Sequence, residues 1–286
     1  RLVGSEMCIR DRHYPAYFRY NCRVLANSRH KNYFPYKSLL SIYKPLYLHN
    51  FQSNVQLNIM EQSFIAYIEN SIKENWDLDA LTDYKGATLQ YKDVARKIEK
   101  LHIIFEASGI KKGDKIAVCG RNSSHWGVTF LATLTYGAVI VPILHEFKAD
   151  NVHNIVNHSE AKLLFVGDQV WENLNESAMP LLEGIMMMAD FYILVSRSEK
   201  LDYAREHLNE MFGKKYPKNF RKEHVSYHKD QPDELAVINY TSGTTSYSKG
   251  VMLPYRSLWS NTTFAFEVLP LKAGDKIVSM LPMAHM

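Results

Sequence analysis

Apolar and polar positions follow no sustained period before residue 60 and a regular one after it. Phe64, Ile65, Ile68 and Ile72 share one face of a short helix ending near Trp76, at the spacing of an amphipathic helix. Residues 80–84 and 87–91 flank Lys85 and Gly86, which predicts a hairpin. Val94, Ile98, Leu101 and Phe105 predict a second helix, with Gly109 as its C-terminal cap.

Short apolar runs then alternate with helical ones. The pattern predicts strands at 115–119, 138–144, 162–166 and 191–195. It predicts helices at 123–136 (closed by Gly137), 151–158, 171–188 and 199–212. A polar stretch, 213–234, leads to a further strand at 235–240. Short, continuously apolar strands separated by helices imply parallel pairing with both sheet faces covered. The expected fold class is therefore α/β, with a doubly wound, mostly parallel sheet. The expected division is a first α/β subdomain at 60–212, a linker at 213–234 and the start of a second subdomain at 235–286.

Two apolar stretches invite other readings. Residues 127–144 are 18 consecutive uncharged positions, long enough for a membrane span. Gly137 and Pro142 interrupt them and β-branched residues crowd the second half, which favours a buried helix running into a buried strand. The run 185–188, IMMM, reads as core packing. No transmembrane segment is expected.

Charge changes the picture of the first 59 residues. The whole chain has a formal net charge of +4, which first suggests nucleic acid or an anionic membrane as partner. Residues 1–59 hold nine Lys/Arg and two Asp/Glu, so the remainder carries a net charge of −3. Residues 13–59 contain no Asp, Glu or Gly, and seven tyrosines crowd positions 14–47. An organelle transit peptide and a single-stranded nucleic-acid arm both compete for this stretch. The favoured reading is translated non-coding sequence with the true start at Met60, so no nucleic-acid partner is expected. Cys8 and Cys22 lie in this leader and leave Cys119 alone in the body. One thiol allows neither an intrachain disulfide nor a cysteine-based metal cage, which suits a reducing, cytoplasmic setting. Within the apolar run KIAVC it reads as a buried, inert thiol.

One segment concentrates chemistry. Residues 240–250 read YTSGTTSYSKG: behind an apolar strand, ten successive positions hold two glycines, six Ser or Thr hydroxyls and Lys249. Such a loop offers backbone N–H groups, hydroxyl donors and an ammonium to a single anion, the parts needed to hold a polyphosphate. It is not the P-loop of nucleotide hydrolases, because Ser248 precedes Lys249 and Gly250 follows it.

The segment resembles the phosphate-binding signature of the AMP-forming acyl-CoA synthetases, or adenylate-forming enzymes, approximately Y-T-S-G-T-T-G-x-P-K-G-V. Tyr240, Thr241, Ser242, Gly243, Thr244, Thr245, Lys249, Gly250 and Val251 match, while Ser246 and Ser248 replace the usual Gly and Pro. Asp233 and Glu234 upstream, and Met252, Leu253 and Asn261 downstream, are similar to the family's surroundings. Residues 88–91, 109–118 and 134–142 resemble its earlier elements, and 281–286, LPMAHM, resembles a segment of its long-chain fatty acid branch.

The resemblance implies attack of a carboxylate on the α-phosphate of ATP, giving acyl-AMP and pyrophosphate, then acyl transfer to coenzyme A. It implies that Thr241, Ser242, Gly243, Thr244, Thr245 and Lys249 hold the β- and γ-phosphates with Mg²⁺ sharing the charge. His285 is implied to lie near the acyl carboxylate and the adenylate. The expected partners are a fatty acid, ATP and coenzyme A, with peripheral membrane contact open. An amino-acid-adenylating branch normally carries an Asp near the position of His285, and none is present. An aryl-acid enzyme of the same superfamily and a non-catalytic nucleotide-binding module remain as alternatives. The chain stops inside the last motif, before the family's adenine-side, ribose-binding and C-terminal lysine elements. The expectation is a truncated N-terminal domain that does not complete adenylation alone.

Overall fold

The structure, a computed structural model, describes residues 63–241, 249–272 and 274–285. The leader, 1–59, lies outside them. Helix α1, Phe64–Glu74, starts where Ser63 Oγ accepts from the Ala66 amide. Strands β1, Asp79–Thr82, and β2, Thr88–Gln90, form the expected antiparallel hairpin, with Lys85 at φ 56° in its turn. Helix α2, Tyr91–Ser108, ends at Gly109, whose φ of 86° is the left-handed cap that glycine adopts freely.

A seven-stranded sheet follows. Its strands are β3, Lys115–Cys119; β4, Val139–Ile143; β5, Ala161–Val166; β6, Gly184–Met187; β7, Ile193–Ser196; β8, Leu235–Thr241; and β9, Lys249–Pro254. The spatial order is β7-β6-β5-β3-β4-β8-β9. Pairing is parallel from β6 through β8, and antiparallel at both ends, β6 with β7 and β8 with β9. The expected α/β, mostly parallel sheet is what forms.

Both faces of the central strands are covered. Ile116 and Val118 of β3 belong to one apolar cluster, and Ala117 and Cys119 to the other. That is why the strand reads as an unbroken apolar run instead of an alternating one. Helix α3, Ser124–Tyr136, is capped by Ser123 and closed by Gly137, and its C-terminal half leads into β4. The 18-residue uncharged run is thus helix then strand. Among the described residues no helix is long and apolar enough to cross a membrane.

Asp83, in the β1–β2 turn, accepts from the Ser124 amide at 2.6 Å and the Ser124 hydroxyl at 2.7 Å. A carboxylate placed there also meets the positive end of α3, so the hairpin is pinned to the start of that helix. Helix α4, Ala149–Ser159, packs against β5.

Two expected helices are corrected. Residues 171–188 are not one helix: a single turn, α5, Asp168–Trp171, and a 3₁₀ turn, Glu176–Ala178, precede β6. Asn175 accepts from the Ser177 amide and breaks the periodicity, and the run 185–188 is a strand and its exit. A short apolar run carries no period that separates strand from helix. A Cβ at Gly184 would lie 2.2 Å from Leu201 Cδ2, so glycine is what lets β6 approach its neighbours. The predicted helix 199–212 divides at His207 into α6, Glu199–Glu206, and α7, Leu208–Lys215.

The polar stretch 213–234 straps the core. Phe220 and Val225 are buried. The Asp230 carboxylate accepts from Ser63 Oγ and from the Phe64 amide, and the His228 amide donates to Thr135 O at 2.9 Å. Helix α8, Tyr255–Val268, follows β9, and Tyr255 Oη donates to Leu134 O at 2.8 Å.

Candidate functional site

Thr241 and Lys249, two of the residues singled out by sequence, lie at the carboxyl end of the parallel strand β8. In open α/β sheets ligands bind outside that edge. Strand β8 reaches it with Tyr240 and Thr241, and β9 returns from it with Lys249 and Gly250. The hydroxyl-rich segment therefore bridges two antiparallel strands. Thr241 pairs with Lys249 and Tyr240 with Gly250 in the ladder. Sequence reading put Lys249 in a loop and missed β9; a strand holds it instead. Ser242, Gly243, Thr244 and Thr245 lie outside the described residues.

The base of this hairpin is rigidly built. Tyr240 is buried, and its hydroxyl lies 2.6 Å from His158 Nδ1 in the last turn of α4, the rings meeting edge-on. Burial pushes the Tyr240 phenol above its ordinary pKa, so it keeps its proton. A Cβ at Gly250 would come within 2.9 Å of Ile238 Cγ2 and 3.1 Å of Tyr240 Cζ. Gly250 is thus required for the tyrosine ring to lie across the ladder.

Lys249 and Thr241 are exposed. Lys249 has no carboxylate within ion-pair distance among the described residues. Asp233 and Glu234, by contrast, are engaged away from the hairpin. Asp233 pairs with Arg256, and Glu234 accepts from the Gln231 amide at 3.1 Å and lies 2.8 Å from His228 Nε2. An unneutralised ammonium beside an exposed hydroxyl at a strand end suits an anionic ligand.

His285 reaches the same edge by another route. Asn122, three residues beyond β3, donates to Leu281 O at 2.7 Å and accepts from the Met283 amide at 2.8 Å. Ala284 is buried beneath this clamp, while the His285 side chain is exposed. The structure brings His285, Thr241 and Lys249 to one edge of the sheet, with no hydrogen bond among them. Sequence reading missed Asn122 and His158. The polar run RNSS at 121–124 announces a turn, but no pattern names the asparagine as a clamp or a helix-end histidine as a partner for Tyr240.

Two other groups are set aside by their surroundings. Cys119 is buried and its thiol is pushed up to about 12, which makes it a poor nucleophile, as expected. Among the described residues no group of three His, Cys, Asp or Glu is placed to hold a metal ion.

Comparison with known proteins bears on the whole body of the chain. The family model for AMP-binding enzymes matches residues 68–286. Long-chain-fatty-acid–CoA ligase 5 of Rattus norvegicus is 28% identical over 212 residues, covering 69% of this chain and 30% of the relative. The chloroplastic long-chain-fatty-acid–[acyl-carrier-protein] ligase AEE15 of Arabidopsis thaliana is 26% identical over 304 residues, covering 100% of this chain and 39% of the relative. The chain thus spans about a third of the length of the curated relatives it matches. Among solved structures, ATP-bound MatB from Rhodopseudomonas palustris superposes with a TM-score of 0.60 at 21% identity, over 79% of this chain and 41% of that one. A long-chain-fatty-acid-CoA ligase from Archaeoglobus fulgidus gives 0.59 at 22% identity, over 77% and 42%. At these identities the structural likeness speaks for the fold.

Proposed function

The chain belongs to the AMP-binding enzyme family, and on that premise we propose that it forms part of an ATP-dependent ligase that activates a long-chain fatty acid as acyl-AMP and passes it to coenzyme A. The observation that carries the reading is the β8–β9 hairpin, which holds Thr241 opposite Lys249, a lysine with no ion pair among the described residues, at the carboxyl edge of the sheet.

In this reading Thr241, Ser242, Gly243, Thr244, Thr245 and Lys249 receive the β- and γ-phosphates of ATP. The donor set fits: hydroxyls, main-chain N–H groups and one ammonium match phosphate oxygens. Mg²⁺ would arrive with the nucleotide and share its charge. Attack of a carboxylate on the α-phosphorus needs charge neutralisation and alignment more than covalent help, and the hairpin supplies the first. The Tyr240–His158 contact fixes the end of β8 from which the segment departs. His285, held by the Asn122 clamp, would face the acyl carboxylate and the adenylate. A fatty acid is favoured by the LPMAH segment, which lacks the acidic residue that would meet an amino-acid ammonium. The same reading carries a cytoplasmic setting, with peripheral contact to lipid for an apolar substrate.

The test is AMP release by the protein expressed from its complete gene, with palmitate, benzoate and alanine offered in turn. Palmitate-dependent AMP release supports the proposal. Release on benzoate or alanine alone moves the protein to the aryl- or amino-acid-activating alternatives. Nucleotide binding without AMP release on any acid makes it a non-catalytic module.

A further inference from the structure

A cleft of about 250 Å³ lies between α2, α6, the start of α7 and the turn after β6, at the opposite end of the sheet order from β8 and β9. Lys97, Lys100 and Arg205 line it, against the single carboxylate of Asp190. None of the three cations is in an ion pair among the described residues.

Each cation is instead oriented by a neutral partner. Lys97 Nζ lies 3.1 Å from His125 Nε2; the ammonium can only donate, so the imidazole accepts. Burial and Lys97 both hold the His125 pKa below its ordinary value, which keeps that acceptor neutral. Lys100 donates to Asn209 Oδ1 at 3.0 Å. Arg205 Nε donates to Phe191 O at 3.0 Å, leaving its terminal nitrogens without a partner among the described residues.

Phe191 marks the turn as constrained. Its φ of 60° is the left-handed region, where a bulky side chain is rarely found. Packing holds it there: its ring meets Phe165 and His125 edge-on. The strained residue is the one whose carbonyl aims Arg205, and such strain persists where surrounding structure over-determines it. Lys100 also titrates below its ordinary range, from burial and then from Arg96, Lys97 and Arg205.

We propose that this cleft is a binding site for a phosphate monoester carrying a compact apolar group, separate from the β8–β9 hairpin. Three cations against one carboxylate leave a local excess of two positive charges, which matches a phosphoryl dianion better than a carboxylate. A guanidinium fork and two ammonium groups lining one cleft offer the donors a tetrahedral anion needs. Leu101, Leu208 and the Phe191 ring supply apolar wall. The volume falls below the usual range for drug-sized ligands, so the apolar part is small.

The test is isothermal titration of the full chain at low ionic strength with phenyl phosphate, inorganic phosphate and benzoate. Phenyl phosphate is expected to saturate one site and to bind at least fivefold more tightly than either other probe. Lys97→Gln combined with Lys100→Met, which keeps the packed Lys100 stem, is expected to weaken phenyl phosphate at least tenfold. Lys100→Arg should retain it, and Lys249→Gln should leave it unchanged. Absence of saturable binding, or an affinity the paired variant leaves untouched, overturns the site. Loss on Lys249→Gln assigns the binding to the hairpin and also overturns it. Equal affinity for benzoate or for inorganic phosphate overturns the ligand class.

Discussion

Tyr240 Oη and His158 Nδ1 lie 2.6 Å apart, joining the last turn of α4 to the end of β8. The two residues are 82 positions apart in sequence, and this bond fixes the point where the hydroxyl-rich segment leaves the sheet. His158 is exposed apart from this contact, so water can replace a lost partner. Tyr240→Phe and His158→Ala should each cost about 1 kcal/mol in urea unfolding. The double variant should cost much less than their sum, because residues sharing one bond are not additive. Strict additivity would show that the pair does not interact in solution.

Asn122 makes hydrogen bonds on both sides of the segment that ends in His285. Asn122→Ala should free Leu281 O and the Met283 amide together. Hydrogen exchange should then show the Met283 amide losing protection by an order of magnitude or more, with β3 and α3 unaffected. Unchanged protection would mean that packing of Ala284 alone holds the segment.

The His102 side chain is half-buried at the surface of α2 and enclosed by α3, with Nε2 lying 3.0 Å from Ala132 O and 3.1 Å from Thr135 Oγ1. Burial lowers its pKa to about 4, with Lys215 adding to the effect and the Ala132 hydrogen bond opposing it. The ordinary value is about 6.5, so between those two pH values the unfolded chain binds the proton and the folded chain does not. Stability should therefore fall as pH drops through this window, by about 3 kcal/mol in all. His102→Gln should flatten that dependence, measured by urea unfolding at pH 7 and pH 4.5. An equal slope in the variant would remove His102 as the cause.

Legibility in the sequence followed how each feature is encoded. Strands β3, β4 and β5 were readable because burial on both faces demands unbroken apolar runs. The caps at Gly109 and Gly137 were readable because a positive φ favours glycine. Residues 171–188 were misread because a short apolar stretch has no diagnostic period, and the break lies in an Asn175 side-chain bond. Strand β9 was missed because KGVMLP is an exposed edge, paired on one side to β8, and lacks the alternation of a half-buried strand. The hydroxyl-rich segment 240–250 stood out by its composition. His158, which meets Tyr240, and Asn122, which holds the 281–285 segment, are distant in sequence from their partners, and only folding brings each pair together.

The proposed function requires that the β8–β9 hairpin bind the polyphosphate of a nucleotide through Lys249. The direct measurement is calorimetric titration of MgATP into the full chain carrying Lys97→Gln and Lys100→Met, chosen to remove binding at the α2–α6 cleft, with and without Lys249→Gln. An ammonium–phosphate hydrogen bond contributes about 1.5–3 kcal/mol, so Lys249→Gln should weaken saturable MgATP binding at least tenfold. No MgATP binding, or the same affinity with Gln at position 249, would contradict it.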